Sequence, residues 1–61
     1  MDLDVNLQKA VSLFKSGNLN EAEKICNVIK KNDPNNLINL NLLGIILFQK
    51  KLMLLFLLQV D

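Results

Sequence analysis

The chain has 61 residues, 51% hydrophobic and 21% charged, with seven lysines against six acidic residues and a net charge of +1. That length holds one small domain with a thin core, and so even a charge gives no electrostatic footprint for a nucleic acid. With no His and a single Cys, an intrachain disulfide and a Cys/His metal cluster are excluded, and no metal or cofactor is assigned.

The first helix is predicted over about residues 3–16. Leu3, Leu7, Ala10 and Leu13 recur at helical spacing with Val11 and Phe14 beside them, while Lys9 and Lys15 point elsewhere. Asp2 or Asp4 can cap its start, and Ser16-Gly17-Asn18 stops it, since Gly17 takes the left-handed conformation cheaply. The second helix is predicted over about 19–32, capped by Asn18 or Asn20, with Glu21 and Glu23 at the favourable end of its dipole. Its apolar stripe is Ala22, Ile25, Cys26 and Ile29, and Asn32-Asp33-Pro34-Asn35-Asn36 ends it, Pro34 then serving as a first-turn residue of the next helix. The third opens near Asn35 or Asn36 and runs to about residue 58, either as one rod or with a kink at Gln49-Lys51, because neither Gly nor Pro follows Gly44. The fold class is therefore all-α, three antiparallel helices in a helix–turn–helix arrangement.

A shift of thirty-four residues lays like on like: Leu3 on Leu37, Ala10 on Gly44, Val11 on Ile45, Leu13 on Leu47, Phe14 on Phe48. Gly17-Asn18-Leu19-Asn20-Glu21-Ala22 has the Gly, polar pair, acid and Ala of a second-helix opening. Asp33-Pro34-Asn35-Asn36 stands as an inter-repeat turn, and Leu43-Gly44 as the Leu-Gly pair of a first helix. In these residues the chain resembles the tetratricopeptide repeat family from Asn6 to Phe48, about one and a half repeats. It departs where Asn6 and Leu40 replace a common Trp, Leu13 and Leu47 a common Tyr, Lys9 a Leu and Ile29 an Ala. Small residues at Ala10, Ala22 and Gly44 are expected to let helix axes approach closely, with Leu13, Ile25 and Leu47 filling the space between and Leu43 beside them.

The pattern stops at Lys51, which stands where a second Gly17 belongs; Leu55 and Phe56 stand where Glu21 and Ala22 would recur. The repeat region is thus residues 1–51, and 52–61 form an apolar tail with eight apolar residues in the nine from Leu52 to Val60. Three origins compete for it. The favoured one is a truncated or frame-shifted end of a longer repeat protein, since the register fails at one point. The others are a helix extension packing on the first two helices or on a second copy, and a membrane segment. A membrane is disfavoured as a partner because Lys50 and Lys51 fall mid-run, with Asn39 and Asn41 before them.

Catalytic constellations are scarce. The carboxylates Asp2, Asp4, Glu21, Glu23, Asp33 and Asp61 mostly suit helix starts or solvated faces, and Glu21 and Glu23, two apart, face different sides. Ser12, Ser16 and Cys26 have only Lys as a neighbouring base, and Gly17 and Gly44 each stand alone, without a phosphate-cradling loop. Cys26, on the packed stripe, reads as a small buried hydrophobe, and Lys50-Lys51 as a solvated face. No enzyme is expected.

The resemblance implies a concave groove lined by the first helix of each repeat. It puts Asp4, Leu7, Val11, Phe14 and Lys15 there from the first copy and Ile38, Asn41, Ile45, Phe48 and Gln49 from the second. The carboxylate clamp of the chaperone-binding branch would need Lys and Asn where this chain has Leu7, Val11 and Leu42, so the implied groove is apolar, with Phe14 and Phe48 as anchors. The competing reading is that these residues meet the next repeat or the tail. The expected role is a non-catalytic protein- or peptide-binding scaffold, self-association through the tail being a further partner mode. The first one and a half repeats, with the Leu-Leu-Gly in the third helix, also resemble repeat arrays ahead of bacterial protein-glycosyltransferase domains, so the scaffold is expected to be a truncated or N-terminal piece of such a larger repeat protein. The alternative is a small membrane-associated protein using the leucine-rich run. With no export signal at the N-terminus, a cytoplasmic location is expected.

Overall fold

The computed structural model describes residues 2–59, with side chains from Val5 onward. Three helices follow in chain order: α1 (Asp2–Lys15), α2 (Leu19–Asn32) and α3 (Leu37–Gln59), with no strand among the described residues. The cap expected from Asp2 or Asp4 lies outside the described side chains. Helix α1 packs on α2 and α2 on α3, whereas α1 and α3 touch little.

Local chemistry accounts for the turns. At the end of α1 the Asn18 amide donates to the Leu13 carbonyl at 2.9 Å and the Gly17 amide to the Phe14 carbonyl at 3.1 Å. This paired closure requires a left-handed residue at the penultimate position, and Gly17 has φ +88° there. Asn18 stands at the N-cap of α2, but its side chain makes no cap bond; its amide donates instead to Ser16 Oγ at 3.2 Å. At α3 the cap does form: Asn36 Oδ1 accepts the Asn39 amide at 2.9 Å. Helix α3 begins at Leu37, one or two residues later than expected, so Pro34 lies exposed in the turn rather than in the first helical turn, and its missing donor is equally harmless there. No break occurs at Gln49-Lys51, and α3 is one rod of 23 residues.

The core is small. Ala10, Ala22, Cys26, Leu42, Leu43 and Ile46 form one buried cluster, with Leu7, Val11, Leu13, Phe14, Leu19 and Ile25 half-buried against it. Ala10 and Ala22, fully buried, sit in the cluster at the α1–α2 interface. Two polar ties cross from α2 to α3. Buried Asn39 donates its side-chain amide to the Cys26 carbonyl at 2.9 Å, and Lys50 Nζ meets Glu23 Oε1 at 2.6 Å. The expectation of a free solvated Lys50 is corrected by that pair: α3 runs past the first turn of α2 and brings Lys50 over Glu23.

Gly44 departs most from expectation. It is exposed, and a Cβ built there meets nothing within 4 Å; Leu47, one turn on, is 46% exposed. The reason is the repeat itself. Gly44 and Leu47 occupy the positions at which Ala10 and Leu13 in α1 pack toward α2, but α3 continues straight where an antiparallel successor would turn back. Replacing Gly44 by Ala should therefore raise stability by about 1 kcal/mol through helix propensity. Gly17→Ala should lower it by about 1–2 kcal/mol through strain at positive φ. Urea unfolding followed by circular dichroism reads both.

Candidate functional site

Concavity occurs along α1. Leu7 and Val11, one turn apart, form an apolar floor flanked by Gln8 and Ser12; Lys15 stands at one end, and Ile38 from the first turn of α3 closes the side. The open groove so formed measures about 520 Å³. Leu7 and Val11 are half-buried, and Ile38 is 65% exposed, so each offers apolar surface that a bound chain would cover.

Of the groove residues expected from sequence, the structure brings Leu7, Val11, Lys15 and Ile38 together. Phe14 is half-buried against the core cluster and does not line this groove. Asn41, Ile45 and Phe48 lie further along the exposed outer side of α3, spaced four and three apart, and do not line it either. Leu42, a position of the missing carboxylate clamp, is buried and could not reach a ligand without unpacking α3. Among the residues assigned to packing, Leu13 and Ile25 are half-buried, Leu43 is buried, and Pro34, Gly44 and Leu47 are exposed.

Two side chains that sequence reasoning missed organise this region. Asn39 ties α3 to α2 by its side-chain amide, while its Oδ1 is buried without a partner among the described residues. Lys50 fastens the same two helices further along. The available signal for Asn39 was a polar residue in phase with Leu42, Leu43 and Ile46 on an otherwise apolar stripe.

Cys26 is buried in the α2 seam. Burial, and then the nearby negative charge of Glu23, push its thiol above the ordinary cysteine value, which disfavours the nucleophilic thiolate. Among the described residues no group of three or more His, Cys, Asp or Glu is placed to hold a metal ion.

Over 38 residues, 62% of its length, the chain is 58% identical to a UDP-N-acetylglucosamine--peptide N-acetylglucosaminyltransferase of Caenorhabditis elegans. The aligned stretch amounts to 3% of that protein. No family model matches the chain, and no solved structure matches it. The three-helix fold and the similarity together fit a tetratricopeptide-like stretch.

Alkylation of Cys26 by iodoacetamide near neutral pH should run at least about tenfold slower in the native chain than in urea, because the thiol is both covered and held protonated. Equal rates, read by mass spectrometry, would show that the α2 seam is open.

Proposed function

We propose that this chain is a piece of a helical-repeat protein related to protein N-acetylglucosaminyltransferases, and that its own role is non-catalytic: it binds an extended peptide along α1. The observation that carries this reading is the 58% identity over 38 residues to such an enzyme, on a chain whose described residues fold as a helix–turn–helix plus one further helix. Support comes from the groove, whose Leu7, Val11 and Ile38 offer apolar contact and whose Lys15 offers one positive end. A peptide with an apolar side chain for the floor and an acidic residue toward Lys15 fits that chemistry.

The open Gly44–Leu47 face and the loss of register at Lys51 support the same reading, since a helical repeat buries its face only against a neighbour. The coding DNA around and beyond codon 51 should then contain, in another frame, a Gly-x-Tyr/Leu-x-x-Ala continuation. Sequencing the locus tests this, and a locus without that continuation removes the fragment reading.

A peptide array of extended sequences tests the groove. Binders should carry apolar residues with an adjacent acid, and Ile38→Ala should weaken them about fivefold or more, a typical loss for an anchor contact. Lys15→Glu, at an exposed position, should weaken acidic binders about fivefold or more while circular dichroism stays helical. Binding indifferent to both changes would overturn the groove assignment.

A further inference from the structure

Helix α3 outruns its support. It spans about 34 Å against about 21 Å for α2, and from Leu52 to Leu58 every side chain is at least 46% exposed. These are the seven consecutive residues Leu-Met-Leu-Leu-Phe-Leu-Leu, so at about 100° per residue the apolar surface closes around the whole helix. A single packed helix covers one stripe of such a surface. A fluid apolar medium covers all of it.

By length and composition alone, Leu37–Gln59 could cross a bilayer, an 18-residue window within it having a mean hydropathy of 1.8. Its first half is not available for that. Asn39 is bonded to the Cys26 carbonyl and Lys50 to Glu23, so a full crossing would either break both ties or draw Glu23 into hydrocarbon. Among the described residues beyond Lys51 no side-chain hydrogen bond or ion pair ties α3 to α2, although Met53, Leu54 and Leu57 share an open concavity with Gly17, Leu19 and Asn20. From Leu52 to Gln59 the helix measures about 12 Å, against about 15 Å for the hydrocarbon depth of one leaflet. In sequence the run is bounded by Lys50-Lys51 on one side and by Gln59 and Asp61 on the other. Of the two lysines in α3, Lys50 is paired with Glu23, and Lys51, exposed at the base of the tail, presents the positive charge that an anionic surface would meet.

We propose that the tail from Leu52 to Leu58 lodges obliquely in one leaflet of an anionic membrane, with Lys51 at the headgroups and the α1–α2 hairpin held in water. Both polar ends of the run then stay within reach of the interface, as for other interfacial helices. This goes beyond the peptide-binding reading and is independent of it, since no residue of the α1 groove takes part.

The chain has no Trp and no Tyr, so Phe56→Trp gives a single fluorophore in the intact chain. With vesicles of phosphatidylcholine and phosphatidylserine at roughly 7:3, its emission should shift to the blue, be quenched by brominated acyl chains, and follow the vesicles on sedimentation. Lys51→Gln should weaken binding about fivefold on these vesicles and little on pure phosphatidylcholine. Leu54→Glu with Leu57→Glu should weaken it at least about tenfold on both. Both leucines are exposed, and unchanged protection of Cys26 would show that these variants keep their fold. Emission unaltered by vesicles would overturn the proposal. So would a blue-shifted fluorophore in a discrete oligomer that persists when lipid is added, which would assign the tail to a second copy of the chain.

Discussion

The bond from the Asn39 side chain to the Cys26 carbonyl determines where every face of α3 points. Apart from this bond and the Lys50–Glu23 pair the α2–α3 seam is apolar, built from Cys26, Leu42, Leu43 and Ile46, and apolar contacts alone tolerate sliding by a turn. One directed bond at 2.9 Å does not. Breaking it would leave a buried donor beside the already partnerless Oδ1, at about 1–3 kcal/mol for each group. The Lys50–Glu23 pair acts further along the same seam, so two polar contacts hold one register, while the Asn36 cap fixes only the start of α3.

With that register set, the repeat explains both what α3 covers and what it leaves open. Ile38 falls beside Leu7 and Val11 and completes the groove, while Gly44 and Leu47 face outward in the positions equivalent to Ala10 and Leu13. The groove depends on α1 and only the first turn of α3, whereas the tail from Leu52 onward lies outside it. A peptide-binding role and a lipid contact would thus occupy different ends of one short molecule.

Much of the fold was legible in local signals. Apolar spacing located the three rods, and Gly17 and the Asp33–Asn36 turn located their ends, because helix termination is decided within a few residues. What escaped was set by distance along the chain. Asn39 finds Cys26 thirteen positions away and Lys50 finds Glu23 twenty-seven away, and no periodicity announces such pairs. Gly44 was misleading for a related reason: its smallness suits a neighbour that the second copy would supply, and the described residues contain none there. In the candidate site, Leu7 and Val11 were legible as a groove face, while Phe14, on the same helix, turned toward the core instead.

Because α1 meets α2 and α2 meets α3, with little contact between first and third, nearly every tertiary contact joins helices adjacent in sequence. Chains wired this way close only short loops before contacts form, and they reach the native state in microseconds to milliseconds. The α1–α2 hairpin also precedes α3 along the chain, so the carbonyl of Cys26 is synthesised before the Asn39 side chain that bonds it.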